Sequence, residues 1–441
     1  MYKNKKIFVL GMGRSGVAVS KFLSTQNQIL LTDISCENTE LINELENLGI
    51  NVIITKHQKE LINENFDLLI KNPGIRPDNQ VVLKAKELNI PVINEVEVSY
   101  NYLPEDVTIV GITGSNGKTT TTYLTYEILK MAGLPVHAGG NLGVAVCSML
   151  DKIKEKDILV LEISSHQLLD LDKFKTNISA FTNLSEVHID HFGTYENYKN
   201  NKLNIFKHHT DKDIAIINDK DEEVLEITKN IPSAKYYFGN TDCFIKDDKI
   251  WHRNEEVCHL NDIRIKGNHN YENVMCAILI AKQFDVSNET IREALANFAG
   301  VEHRIEFVNR TNDREFYNDS KATNNKSTIM ALNAFDNPII LLLGGLDRGQ
   351  TFDELTDHMT NVKEVVCYGE TKENIKTYCE ANNIKVTVVE TLEEAVKAAY
   401  NLSEKGDTIL LSPACASWDQ FPSFEKRGEE FKRVVESLSQ E

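Results

Sequence analysis

Lys118 and Thr119 directly follow Gly114, Ser115, Asn116 and Gly117 in the stretch GITGSNGKTTTTYL, residues 111–124. A lysine and a hydroxyl placed just after a glycine loop suit phosphate: loop N–H groups wrap the anion, the ammonium adds a point charge, and the hydroxyl can hold Mg²⁺. The P-loop pattern G-x-x-x-x-G-K-[ST] would require glycine at 112, where Ile112 stands. The flanks nevertheless favour a nucleotide cradle, because the apolar run VTIVGI leads in and an amphipathic stretch leads out; ATP is the expected ligand. A second loop, GMGRSG at 11–16, has the same flanks, and Asp33 ends the next apolar run about 20 residues further on, as in a dinucleotide site. The same turn serves any ligand whose pyrophosphate rests on a helix end, so NAD and a UDP-sugar are both open for it at this point.

Further polar residues fall where such ligands would need them. Glu162 closes the apolar run DILVLE, and the C-terminal end of a parallel strand delivers a carboxylate to the ligand crevice, where it suits Mg²⁺. The stretch NLSEVHIDHFGTYENYKNNKLNIF holds His188, Asp190, His191 and Lys202. GNHNYENV sets Asn270 and Asn273 three apart on one helical face, where amides could read an adenine edge.

These residues need strands and helix ends to hold them, and the hydrophobic pattern supplies both. Short apolar runs ending in Gly, Asp or Asn alternate with longer amphipathic stretches, the pattern of βα units around parallel sheets, so the fold class is α/β. The runs KKIFVLG, QILLTD, NVIIT and FDLLIKNPG form a first group. DVTIVGITG, KDILVLEISS, NISAFTNLS, DIAIIND and KYYFG form a second, with short polar strands around CFIKDDKIWHRNEEVCHL. NPIILLLGG, VKEVVCYG, IKVTVVE and DTILLSPA form a third. No internal repeat is visible, and a length of 441 residues suits about three domains of ~150 residues.

Charge and composition exclude several classes. A formal net charge of -18 argues against a nucleic-acid partner, whose phosphates call for clustered Lys and Arg, so any basic patch must be local and sized for a small phosphorylated ligand. Eight cysteines at 36, 147, 243, 258, 276, 367, 379 and 415, with no C-x-x-C pair, read as a reduced chain without a zinc site. The apolar run near the start is about five residues, short of a signal-peptide core of ~7–15, and nothing later approaches a membrane span, so a cytoplasmic protein is expected.

Taken in order along essentially the whole chain, GITGSNGKTTT, EISSHQL, SEVHIDHFGT, GNHNYENV, EHRIEF, YNDSKATN, LLLGGLDRG and SPACASWDQFPSFEKRG resemble the Mur ligase superfamily. Within it they are similar to the branch that adds D-glutamate to UDP-N-acetylmuramoyl-L-alanine. The resemblance implies three domains: a Rossmann-like N-terminal domain over 1–97 for the UDP-substrate, a central P-loop-type ATPase α/β domain over 98–302, and a C-terminal Rossmann-like α/β domain over 303–441 for the amino acid. It reads the ATP loop as G-x-x-G-K-[ST], with no need for glycine at 112. It carries Gly114, Ser115, Asn116, Gly117, Lys118, Thr119, Thr120, Asn270, Asn273, Arg304 and Asp319 over to ATP. Arg14, Ser15, Asp33, Ser35, Asn72, Asn141 and His188 go to the UDP-substrate, so that the first loop would not hold NAD.

By the same resemblance Lys118, Glu162, His188 and Lys202 are the catalytic group, and Thr119, Glu162, His188 and Lys202 surround two Mg²⁺ ions. Lys202 matches a lysine that family members carbamylate, which turns a repelled ammonium into an oxygen ligand. Glutamate would meet Lys321, Thr323, Arg348 and Ser417, with Trp418 and Phe424 walling its stem. The implied reaction is ATP-driven amide synthesis through an acyl phosphate, a cytoplasmic step of peptidoglycan precursor synthesis. The implied protein is a monomer whose partners are small molecules, with no nucleic acid and no membrane.

Overall fold

The computed structural model describes residues 1–36, 38–187, 189–265, 267–335 and 337–438. Two compact units emerge: Met1–Leu260 with Glu272–Ala294, and Asn261–Tyr271 with Leu295 onward.

The first unit carries two sheets. Strands β1 (Lys6–Leu10), β2 (Gln28–Asp33), β3 (Asn51–Ile54), β4 (Leu68–Lys71) and β5 (Val92–Ile93) pair in the order 3-2-1-4-5, all parallel. Strand β1 shows why its sequence is uninterrupted apolar: Ile7 and Val9 pack into one core while Phe8 and Leu10 pack into another on the opposite face. A strand covered on both sides has no reason to alternate. Helix α1 (Arg14–Leu23) leaves β1 through the first glycine loop.

Helix α2 (Glu95–Tyr100) runs from the first sheet to the second and buries two carboxylates. Glu97 accepts the backbone N–H groups of Asp172, Lys173 and Phe174, each at 3.0 Å. Glu95 accepts the Cys147 N–H at 2.6 Å and the Ser99 hydroxyl at 3.0 Å, and burial raises its pKa above the usual carboxylate value.

The second sheet contains β6 (Thr108–Thr113), β7 (Val136–Gly140), β8 (Ile158–Glu162), β9 (Ile178–Phe181), β10 (Ile214–Asn218) and β11 (Ala234–Gly239). It is extended by a meander of β12 (Cys243–Lys246), β13 (Lys249–His252) and β14 (Glu255–His259). The order is 14-13-12-11-10-9-6-8-7. β6 lies between β9 and β8, so the chain departs to opposite sides at its C-terminal end, the crevice where open α/β sheets bind ligands. From there springs helix α3 (Lys118–Met131). Helices α4 (Tyr195–Lys202) and α5 (Asn268–Lys282) follow later in the chain.

The second unit is built on β15 (Glu306–Thr311), β16 (Arg314–Asn318), β17 (Ile339–Gly344), β18 (Val362–Tyr368), β19 (Val386–Val388) and β20 (Thr408–Leu411), in the order 15-16-20-17-18-19. The β15–β16 pairing is antiparallel, and the other strand pairings described for this sheet are parallel. Ile339, Leu341 and Leu343 of β17 face one core, Ile340 and Leu342 the other. Helix α6 (Phe424–Leu438) packs Phe431, Val434, Val435 and Leu438 into the latter. Among the described residues no helix is long and apolar enough to cross a membrane.

Candidate active site

The loop after β6 is held open at its glycines. Gly117 caps α3 with φ +78°, and a Cβ there would lie 2.1 Å from Asn273 Oδ1, so any side chain would both strain the backbone and strike α5. Having no side chain, Gly117 does not compete for the first-turn amides that a phosphate would bind. Thr120 sits in the same first turn.

Two lysine side-chain nitrogens converge on one carbonyl. Lys118 Nζ donates to Gly114 O at 2.9 Å and Ser115 O at 2.8 Å. Lys202 Nζ, arriving from α4, donates to the same Gly114 O at 2.7 Å, lies 3.4 Å from Thr113 Oγ1, and stands 5.0 Å over the Tyr198 ring. Lys202 is 1% exposed; burial holds its pKa well below the ordinary lysine value, the nearby Lys118 charge lowers it further, and Glu162 opposes both.

Next to the lysines, Thr119 Oγ1 donates to Glu162 Oε2 at 2.7 Å, and Asn141 Nδ2 donates to Glu162 Oε1 at 2.6 Å. The Asn141 backbone N–H also bonds to Glu162 O at 2.9 Å. Three residues named from sequence, from α3, the end of β8 and the turn after β7, thus form one hydrogen-bonded string. His188 lies outside the described residues.

Sequence reasoning missed the residues that brace this loop. Asn183 accepts Ser115 N–H through its carbonyl at 2.9 Å and Asn116 N–H through its side chain at 2.8 Å. Thr182 Oγ1 donates to Asn116 O at 2.6 Å, and Ser115 Oγ is 2.9 Å from the Tyr198 hydroxyl. Only the position of TNLS at the end of β9, beside β6, could have pointed to them.

The first glycine loop shapes a cleft of about 590 Å³ whose lining includes Arg14, Ser15, Asp33, Asn72 and Asn141, all named from the sequence, together with Gln58, Asn79 and Gln167, which the sequence did not single out. Ser35 is exposed and is not among the lining residues. The glycines have a local cause: a Cβ on Gly11 or Gly13 would meet Asn72 Nδ2 at 2.7 or 2.6 Å, and one on Gly16 would meet Gly11 O at 2.0 Å. The Asn72 amide therefore occupies the room the glycines leave. Asp33 Oδ2 accepts the Met12 N–H at 2.6 Å and Oδ1 accepts the Ile34 N–H at 2.7 Å, so its carboxylate braces the loop. Arg14 reaches toward the turn after β7, where a Cβ on Gly143 would lie 2.5 Å from its Nη1.

In the second unit Asp319 is buried, accepting the Ser412 hydroxyl at 2.7 Å and the Ile305 N–H at 3.3 Å. Burial pushes its pKa up to about 7 against the pull of those bonds and of Arg304. Lys321 Nζ stands 5.7 Å over the Phe424 ring, and the Arg348 guanidinium stacks 4.5 Å over exposed Trp418. Ser417 is buried, and Thr323 is half-buried. Asn270 lines a small pocket with Arg264, Phe307, Tyr317 and Phe335; Asn273, in the first unit, lies 3.3 Å from Thr121 Oγ1. Arg427, also missed, is wholly buried, with Nε on Ser320 Oγ at 3.0 Å and Nη2 on Ser320 O at 2.8 Å, and so anchors the DSKATN turn that carries Lys321 and Thr323.

A strand-loop-helix phosphate cradle beside a second glycine-loop cleft, in a chain that also carries a separate α/β unit, defines a multidomain α/β enzyme of phosphorylated substrates. Comparison with known proteins narrows the class. Family models match in sequence: the Mur ligase MurD-like N-terminal domain over residues 5–94, the Mur ligase middle domain over 112–281, and the Mur ligase glutamate ligase domain over 303–415. The UDP-N-acetylmuramoylalanine--D-glutamate ligases of Bacillus cereus (strain G9842) and Bacillus mycoides (strain KBAB4) are each 42% identical over 445 residues, covering 99% of this chain and 98% of each relative. Among solved structures, UDP-N-acetylmuramate-alanine ligase MurC of Thermotoga maritima superposes with a TM-score of 0.60 at 19% identity, covering 99% of this chain and 100% of its own. MurF ligase of Thermotoga maritima in complex with ADP gives a TM-score of 0.56 at 16% identity, covering 98% of this chain and 99% of its own. The chain belongs to the Mur ligase family, and it is a ligase.

Proposed function

We infer that the protein joins D-glutamate to the L-alanyl carboxylate of UDP-N-acetylmuramoyl-L-alanine at the expense of ATP, a step of peptidoglycan precursor synthesis. The observation that carries this reading is the string Thr119–Glu162–Asn141, which starts in the phosphate cradle and ends on the wall of the glycine-loop cleft. A γ-phosphate seated on the cradle and a carboxylate extending from the cleft would approach one another along it.

In the first step a carboxylate oxygen attacks the γ-phosphorus and ADP leaves, giving an acyl phosphate. The D-glutamate amine then attacks the acyl carbon, phosphate leaves, and the amine gives up a proton. Lys118 neutralises the transferring phosphoryl group, and the α3 amides orient it, so the protein's work is alignment and charge compensation. The hydroxyl of Thr119 and the carboxylate of Glu162 are hard oxygen donors that fit Mg²⁺, which when bound would neutralise phosphate charge. Lys202 fits that site as a carbamate: burial favours its neutral amine, whose lone pair can bond to CO₂ carbon with loss of a proton. His188 is assigned a place beside the metals on the family pattern alone, and so are Asn270, Arg304 and Asp319 as nucleotide contacts.

Arg14, Ser15, Asp33, Asn72 and Asn141 are assigned to the UDP-substrate. Lys321, Thr323, Arg348, Ser417, Trp418 and Phe424 are assigned to D-glutamate, whose two carboxylates call for fixed cations and hydroxyls. The domains are taken as 1–97, 98–302 and 303–441. The protein acts in the cytoplasm as a monomer, where nucleotide substrates and its eight free cysteines are both at home. Phosphate release with UDP-N-acetylmuramoyl-L-alanine and a panel of D-Glu, L-Glu, L-Lys, diaminopimelate and L-Ala tests the reading. D-Glu alone should support turnover, and release without any amino acid would refute ligation.

A further inference from the structure

Lys71, the last residue of β4, has a side chain with 0% exposure, and its Nζ lies 2.6 Å from Asp170 Oδ2. The same ammonium donates to Ile75 O at 2.9 Å. Ile75 closes the turn Asn72-Pro73-Gly74-Ile75, whose Ile75 N–H returns to Asn72 O at 3.0 Å, and all four residues line the 590 Å³ cleft. Asp170 belongs to the segment after β8, and its N–H reaches back to the carbonyl of Gln167, which lines the same cleft. One buried cation therefore ties together two walls of the cleft that come from different sheets.

A buried ion pair is a poor source of stability, since desolvation offsets much of the attraction. What it supplies is placement. If the ammonium were lost, Ile75 O would lose its donor and the Asn72 amide, which fits against Gly11, Gly13 and Gly16, would lose the turn that holds it there.

We propose that Lys71, through Asp170, is a positioning residue for the UDP-substrate: it fixes the 72–75 turn against the 167–170 segment and so sets the width of the cleft. This rests on the assignment of that cleft to the UDP-sugar. It acts through the turn, with no contact of its own to the reacting atoms.

The test compares wild type, Lys71→Met, and the double variant Lys71→Met with Asp170→Leu, which removes both charges and avoids leaving a lone buried carboxylate should the single variant fail to fold. In whichever variants keep the wild-type circular dichroism spectrum, the KM for UDP-N-acetylmuramoyl-L-alanine should rise about tenfold while kcat and the KM values for ATP and D-glutamate stay within about threefold. Calorimetric titration with UDP alone should weaken in parallel. An unchanged KM for the UDP-substrate, or an equal rise in all three KM values, overturns the proposal, and so does a double variant that regains both thermal midpoint and wild-type KM. Wild-type enzyme that fails to bind UDP at all would instead condemn the assignment of the cleft.

Discussion

At the scale of single residues, the candidate site is organised around one acceptor, Gly114 O, shared by Lys118 and Lys202. Two lysine side chains on a loop carbonyl mark a place built for negative charge, in a chain whose net charge of -18 would otherwise repel it. Replacing Lys118 by Ala should lower phosphate release by about 10²–10³-fold or more with little loss of fold, because a preorganised charge on the transferring group is removed. Coupled phosphate assay of the purified variant checks this, and near-normal turnover would remove Lys118 from the mechanism. Lys118, Thr119 and Glu162 were legible in the sequence because each sits where an apolar run meets a helix or ends, positions a one-dimensional pattern reveals. Asn183, Tyr198 and Arg427 were not, because each meets its partners some 70 to 110 positions away through the pairing of strands and helices.

At the scale of elements, apolar runs gave up β1, β6, β8, β10 and β17 readily, since both faces of each are covered and a continuous hydrophobic run results. Strand β7 escaped because VHAGG lacks such a run: its glycines approach β8 so closely that a Cβ on Gly140 would lie 2.4 Å from Glu162 O. The β15–β16 hairpin escaped for a related reason, being half-buried and mixed in composition.

The packing behind β9 has a pH signature of its own. His209 Nε2 lies 2.8 Å from Thr176 Oγ1 and its Nδ1 2.7 Å from Ser233 Oγ, and burial pulls its pKa down from 6.5 to about 4. The unfolded chain takes up a proton near pH 6.5 that the native state refuses, so the stability this histidine provides is complete above 6.5 and is lost as pH falls toward 4. From this group, the unfolding free energy should be about 2 kcal/mol smaller at pH 5 than at pH 7.5. Urea titrations at the two values, with His209→Gln beside wild type, measure it; an equal pH dependence in the variant would show that His209 is not the cause.

At the scale of the whole molecule, the chain forms two compact units, each with its own cores, and the residues assigned to the UDP-substrate belong to the first while those assigned to D-glutamate belong to the second. Anything that binds one folded unit stabilises that unit by mass action, about 2.7 kcal/mol at a hundredfold excess over Kd. Differential scanning calorimetry should therefore show UDP-N-acetylmuramoyl-L-alanine raising the transition of the unit that contains Arg14 and Asn72 while leaving the other in place. A uniform shift of both transitions would contradict this division. The three-part, βα-rich architecture was legible from the alternation of apolar and amphipathic stretches. The grouping of its first two sheets into one unit was not: the helix between them, α2, buries Glu95 and Glu97, carboxylates that composition would place on the surface.

The proposed ligase activity requires each glycine loop to receive its own phosphates. A crystal structure of the protein with a non-hydrolysable ATP analogue and UDP-N-acetylmuramoyl-L-alanine decides it. The triphosphate should lie on residues 114–119 with its terminal group beside Lys118, and the uridine diphosphate should lie in the cleft of Arg14 and Asn72. A triphosphate in that first cleft, with the 114–119 loop bare, would contradict the account.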